Sequence, residues 1–255
     1  MSSYPIPGSP ESVAQDVRSP ANPCFCYVCG ASEFAHTPVL WPELVAAWGL
    51  SNEEARYMDV QQGTHCCACG SNVRSIALAK ALLACFRFEG TLNGFVDNVA
   101  YHTLRVLEMN EAGTLHPILS RLPRHRLAAY PEFDMMRLAL TSGAFDLVVH
   151  SDTLEHVRDP LQGLNECHRV LHTGGYLLFT IPIIVGRLTR GRHGLAPSYH
   201  GVAGCTDAGM LVHTEFGADA WTMVLKAGFT SCELVPYGFP AGLAIVAKKN
   251  DGDTR

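Results

Sequence analysis

The chain has 255 residues, 47% hydrophobic and 17% charged, with a formal net charge of −5 at pH 7, which suits a large buried core plus a small module. That balance, with a pI of about 6.2, argues against nucleic acid as a partner, since such a surface needs a basic footprint. No apolar run reaches the length of about 18 residues that a membrane span requires, and the first residues lack the charged start and apolar core of a secretion signal, so a cytoplasmic protein is expected.

Residues 1–22 are rich in Pro and Ser and read as a disordered tail. Residues 23–73 read as a small module. Six of the ten cysteines crowd into two clusters: Cys24, Cys26 and Cys29, then Cys66, Cys67 and Cys69. Cys26-Tyr-Val-Cys29-Gly30 and Cys66-Cys67-Ala-Cys69-Gly70 each form a C-x-x-C-G knuckle, in which the glycine lets backbone amides curl toward the sulfurs. Four thiolates, Cys26, Cys29, Cys66 and Cys69, fit one tetrahedral structural zinc, so a zinc ribbon is expected. Cys24 and Cys67 stand as substitute ligands. Disulfides do not suit a cytoplasm, and neither knuckle opens a helix after a strand as a redox pair would. Between the knuckles, Pro38 to Asp59 is expected to insert a helix with Trp41, Leu44, Ala47 and Trp48 on its apolar face. Cys85, Cys167, Cys205 and Cys232 sit at apolar positions and read as small core residues.

A domain over 74–250 follows. Ser71 is a candidate cap for an Ala/Leu-rich helix running to Phe86, with Arg74 either capping it or facing a site. Thr103 to Glu108 is the first strand, and His125 to Tyr130 the second. Met135 to Leu140 is apolar enough for a third strand or a short helix. Phe145 to Pro182, FDLVVHSDTLEHVRDPLQGLNECHRVLHTGGYLLFTIP, reads as strand, loop, helix, turn and strand. Leu161, Leu164, Cys167, His168 and Leu171 recur at helical spacing, Gly174-Gly175 is expected to close that helix, and Pro182 ends the second strand. Such a βαβ unit implies a parallel sheet, and His150-Ser151-Asp152 then lie at the strand edge where open sheets bind ligands. Beyond Pro182, a long polar, glycine-rich stretch carries Arg187, Arg190, Arg192, His193, Tyr199 and His200. Glu215 to Gly228 reads as a helix, and Cys232–Tyr237 and Gly242–Lys248 as a final strand pair.

The segment from Phe145 to Pro182 resembles the region after the fourth strand of class I S-adenosylmethionine-dependent methyltransferases, of the type 11 kind. The match is carried by Phe145, Asp146, Leu154, Glu155, His156, Asp159, Pro160, Arg169, Val170, Leu171, Gly174, Gly175 and Pro182. The resemblance implies a doubly wound, Rossmann-like α/β fold with a mostly parallel sheet and a C-terminal antiparallel strand pair. It also implies S-adenosylmethionine as cofactor. Glu108, Asn110 and Gly113 occupy the loop that carries three glycines in the family, with Asn110 in a glycine's place because asparagine tolerates positive φ. Glu132, or else Asp134, takes the position of the ribose-binding acid, and Ser151 joins the cofactor set.

Methyl transfer asks the protein to align an acceptor and remove its proton. His150, Asp152, His156 and His200 are the candidate catalytic residues, and Arg187, Tyr199 and His200 the candidate acceptor contacts. The expected reaction is methyl transfer to a small molecule, such as a sugar or a secondary-metabolite intermediate. Two alternatives remain open: an inactive accessory protein, favoured by the altered glycine loop, and a methyltransferase that reads RNA or protein through the ribbon. The oligomeric state has no signal in the sequence.

Overall fold

The computed structural model describes residues 24–200, 204, 206–238 and 242–250; the Pro/Ser-rich tail, Cys205 and residues 251–255 lie outside them. The two cysteine knuckles lean on a short antiparallel ribbon of β1 (Phe34–His36) and β2 (Thr64–Cys66). The insertion between them forms two helices rather than one, α1 (Pro42–Trp48) and α2 (Asn52–Gly63). The break falls at Gly49, which adopts φ 57° as α1's left-handed cap, and Ser51 then starts α2 with a reciprocal capping box to Glu54.

Helix α3 (Val73–Cys85) is capped by Asn72, whose side chain accepts from the Ser75 amide. The expected cap, Ser71, is one residue early; its hydroxyl instead accepts from Thr114 Oγ1 at 2.8 Å. Helix α3 is buried on nearly all sides, as its continuous Ala/Leu composition demands. It lies against the sheet so closely that a Cβ at Gly242 would meet the Val73 carbonyl oxygen at 2.7 Å. Helix α4 (Leu92–Asp97) follows and leads to the sheet.

The central sheet contains β3 (Val106–Met109), β4 (His125–Ala128), β5 (Phe145–Ser151), β6 (Leu171–Thr180), β10 (Cys232–Tyr237) and β11 (Gly242–Lys248). Its order is β10-β11-β6-β5-β3-β4. The four strands β4, β3, β5 and β6 run parallel, and β11 and β10 add the antiparallel pair. The expected architecture is therefore present as a mixed, parallel-rich α/β sheet. Between β3 and β4 lies the one-turn helix α5 (His116–Leu119); helix α6 (Pro160–Val170) connects β5 to β6. Asp159 caps α6 by accepting from the Gln162 amide, with Pro160 in the first turn, where its missing N–H has no partner to lose.

Residues 135–140 form no regular element, so the sheet ends at β4. Gly174-Gly175 does not close α6, which stops at Val170. The glycines lie within β6 at a bulge: Phe145 pairs with Leu171 but Leu147 pairs with Tyr176. Gly174 takes φ 88°, and a Cβ at Gly175 would meet the Asp146 carbonyl at 3.0 Å. Past Pro182, the polar stretch is partly a small sheet of β7 (Ile183–Ile184), β8 (Arg190–Gly191) and β9 (Thr214–Gly217). Glu215 thus lies in a strand, and the expected helix shortens to α7 (Trp221–Lys226).

Two cores flank the sheet. Helices α3 and α4 with the knuckle residues Cys26, Val28 and Cys66 cover one face; α6, Phe216 of β9, and Phe229 cover the other. The knuckles therefore share a core with the sheet, across the 73/74 boundary. A small cluster of Trp48, Met58, Ile184 and Val212 joins the insertion to the segment after β6. No helix among the described residues is long and apolar enough to cross a membrane.

Candidate active site

The carboxyl ends of β3 and β5 meet beneath the insertion, and a cavity of about 490 Å³ opens there. Its polar wall holds Arg74, Ser151, Asp152, Glu155, His156 and His200, with Gly113 and Thr114 from the loop after β3. Its apolar wall comes from the insertion: Leu40, Trp41, Leu44, Trp48 and Met58. A second cavity of about 150 Å³ lies beside it, lined by Met109, Asn110, Tyr130, Asp134, Met135 and Thr153, and His156 borders both.

The loop after β3 turns as a glycine-poor loop must. Asn110 and Gly113 adopt φ 54° and 55°. Asn110 Oδ1 accepts from the Tyr130 amide at 2.9 Å, which ties the end of β3 to the end of β4. Glu108 faces inward and is sealed. Its oxygens accept from the Ala112 amide (2.7 Å), His116 Nδ1 (2.8 Å) and His125 Nε2 (2.6 Å), so it braces the loop instead of lining either cavity. Burial raises its pKa, but those donors outweigh burial and hold the carboxyl below its ordinary range. Glu132 is exposed and borders neither cavity, whereas Asp134 borders the smaller one.

After β5, Asp152 takes φ 50°, a conformation that a non-glycine residue adopts at some cost. It pairs with Arg74, whose Nη2 donates to Asp152 Oδ2 at 2.8 Å. Arg74 is only 3% exposed, so the helix after the knuckles supplies a buried cation to the site. Of the two readings of Arg74, the structure takes the one that faces the site, through a partner 78 residues away. Glu155 is fully buried between His156 and His200, at 3.7 and 3.6 Å. Burial pushes its carboxyl up, yet the two imidazoles draw it below the ordinary range, which keeps it ionised.

His150 is not at the cavity. It is fully buried and stacks on Phe179, with ring centroids 4.8 Å apart; burial depresses its pKa to about 3 and keeps it neutral. The β-strand alternation that places Ser151 in the cavity turns His150 away. The arginines are also occupied. Arg187 donates to Glu54 (3.0 and 2.8 Å) and to the Trp48 and Gly49 carbonyls, while Arg190 and Arg192 pair with buried Glu215. Arg187 fastens the segment after β6 to the insertion, and Arg190 and Arg192 hold that segment to its own strand β9. Arg187 and Tyr199 border neither cavity, and Tyr199 bridges to Leu211. His200 does reach the larger cavity, held against the Trp48 ring at 5.4 Å.

The four knuckle cysteines converge. Cys26 Sγ is 3.6 Å from Cys69 Sγ, Cys29 Sγ is 3.7 Å from Cys66 Sγ, and all four lie within 4.8 Å of one another. Gly30 and Gly70 carry φ 90° and 72°, and their amides close matching turns onto the Cys26 and Cys66 carbonyls. Cys24 and Cys67 are exposed and outside the group.

A profile of the methyltransferase domain (Methyltransf_11) matches residues 101–179, which span β3 to β6 and so frame both cavities. No curated protein matches the sequence. Among solved structures, a protein from Thermotoga maritima described as a possible histamine N-methyltransferase is 16% identical, covering 82% of this chain and 99% of its own, with a TM-score of 0.42. A methyltransferase from Methanosarcina mazei is 14% identical over 57% of this chain and 92% of its own, at a TM-score of 0.36. The [4+2]-cyclase SpnF is 16% identical over 70% and 94%, at 0.38. Residues 101–179, the strands that build the site, carry the match to a methyltransferase domain, and that match supports a methyltransferase enzyme of S-adenosylmethionine-dependent fold.

Proposed function

We propose that the chain transfers a methyl group from S-adenosylmethionine to a small-molecule acceptor in the cytoplasm, and that a structural zinc at Cys26, Cys29, Cys66 and Cys69 holds its N-terminal module. The observation that carries the reading is the pair of adjoining cavities at the carboxyl edge of β3 and β5. The cofactor brings an already activated methyl group on its sulfonium. The residues present fit it. Arg74 Nε and Asp152 Oδ1 are buried and unpaired, one cationic and one anionic, which suits the carboxylate and ammonium of its amino-acid end. Asp134 and Asn110 in the smaller cavity suit the ribose, in preference to Glu132. The zinc reading is supported by the donor set, since thiolates of a tetrahedral zinc at about 2.3 Å stand about 3.8 Å apart.

The larger cavity has the size of a small-molecule site and one apolar wall, so the acceptor carries an apolar body and a polar end. The insertion lies along that body, and His200 borders the same cavity. The acceptor's polar end meets the wall of Glu155, His156 and His200, and its proton leaves on that side. Calorimetry with S-adenosylmethionine and its demethylated product tests the reading. Binding is expected in the wild type, weakened at least tenfold in Asp134→Ala and lost in Gly113→Val, whose branched side chain cannot take φ 55° without strain. No wild-type binding at millimolar ligand would replace this reading with that of an inactive accessory protein. An acceptor screen in which only RNA or protein is labelled would remove the small-molecule assignment.

A further inference from the structure

We infer that Glu155, His156 and His200 form a second metal site, separate from the cysteine cluster, which holds a divalent transition ion such as zinc in the wall of the larger cavity. The three ligand atoms lie within 4.8 Å of one another. Glu155 Oε1 is 3.7 Å from His156 Nε2 and 3.6 Å from His200 Nδ1, too far for hydrogen bonds. Two ligands of a tetrahedral ion bound at about 2.05 Å stand about 3.3 Å apart, so the two glutamate–histidine distances need to close by only a few tenths of an ångström.

The second observation is independent of that spacing. Both Glu155 oxygens are fully buried and accept no hydrogen bond. A buried carboxylate in that state is costly unless something else takes its lone pairs. The third concerns His156. Its Nδ1 is 3.0 Å from the Leu211 carbonyl, which can only accept, so Nδ1 donates there and Nε2 is the nitrogen turned to the Glu155 side. A backbone carbonyl orienting the far nitrogen is the usual support of a metal-bound histidine. His200 is braced by the Trp48 ring and by the His156 edge at 5.0 Å.

Two imidazoles and one carboxylate suit zinc, iron(II) or manganese(II), whereas magnesium and calcium prefer all-oxygen shells. Three protein ligands leave a position open toward the cavity. An acceptor oxygen bound there, as in a hydroxyl next to a second oxygen, becomes more acidic. Its proton passes to water, the oxygen then bonds to the methyl carbon, and the pair from the broken carbon–sulfur bond stays on sulfur. That role rests on the methyltransferase reading; the site itself does not.

Elemental analysis of the full chain, saturated with zinc and desalted, tests it without activity. Two zinc per chain are expected in the wild type, and one in His200→Ala and in Glu155→Gln. His116→Ala, in the sealed Glu108 group, should keep two. Cobalt(II) substitution gives a second readout in folded protein: thiolate-to-metal absorption from the cysteine site should be unchanged in His200→Ala, while the weaker visible bands of a nitrogen/oxygen site disappear. A wild type that saturates at one zinc, lost with Cys26→Ser/Cys69→Ser, would overturn the inference. So would two zinc retained in both His200→Ala and Glu155→Gln. Cofactor calorimetry on the same samples separates this failure from failure of the methyltransferase reading.

Discussion

Two groups of one glutamate and two histidines stand at neighbouring strand ends, and they are built oppositely. In the group of Glu108, His116 and His125, both carboxylate oxygens are spoken for by three donors at 2.6 to 2.8 Å. In the group of Glu155, His156 and His200, neither oxygen has a hydrogen bond and the ring nitrogens stand back by almost a further ångström. Composition and burial are alike; satisfaction is not. A buried carboxylate with every lone pair used holds a loop in shape, and one with its lone pairs free is arranged for something that binds.

The largest effect should follow from emptying the satisfied group. Glu108→Ala leaves the Ala112 amide and two imidazoles without their acceptor and frees the loop that carries Asn110 and Gly113. Breaking a buried, hydrogen-bonded charge group of this kind costs about 3–5 kcal/mol. Urea denaturation of the variant should show a loss in that range, together with lost cofactor binding. A loss below about 1 kcal/mol would mean that the three bonds do not brace the loop.

A smaller effect belongs to a third acid, Glu54, which is also satisfied but at the molecular edge. Arg187 beside it, with the Ser51 amide, holds its carboxyl at about 2, below the usual 4.5. The unfolded chain binds this proton more readily, so the contribution is full above about pH 4.5 and disappears as pH falls toward 2. Both side chains are partly exposed, so screening reduces the contribution to about 1–2 kcal/mol. Stability measured from pH 5 to 2.5 should fall less steeply in Glu54→Gln. An unchanged slope would show that Glu54 does not fasten the insertion to the segment after β6.

Much of the frame was legible because it rests on local pattern. The β5–α6–β6 unit, the last strand pair and the cysteine knuckles all follow from periodicity, capping and spacing within short stretches. The positive φ at Asn110 was legible from the resemblance, which puts a family glycine at that place, and from asparagine's tolerance of it. What escaped depends on distant partners. Arg74 meets Asp152 78 residues away and Arg187 meets Glu54 133 residues away, so Arg74 read as a cap or a site residue and Arg187 as an acceptor contact. His150 looked like a site residue from its place at a strand edge, but its side of the strand is decided by register. The glycine pair before Tyr176 has the composition of a helix stop, yet a bulge needs the same freedom. Glu155 belonged to a recognised LEH motif, and only packing shows that its oxygens are left unpaired.

The smallest change in stability should come from the open group, and it is the sharpest test of the contrast. Glu155→Gln keeps the shape, removes a buried charge that makes no hydrogen bond, and offers the two imidazoles a neutral neighbour. In protein given no added metal, the loss should stay within about 1 kcal/mol, because removing an unsatisfied buried charge relieves desolvation while sacrificing some attraction to the rings. Added zinc should then separate the two proteins. A ligand at 100 times its dissociation constant stabilises the folded state by about 2.7 kcal/mol, so zinc should raise the wild-type melting temperature by more than that of Glu155→Gln. The cysteine site is common to both and cancels in the difference. A loss as large as that of Glu108→Ala, with no zinc-dependent separation, would make the two groups the same kind of brace and abolish the distinction on which the open site depends.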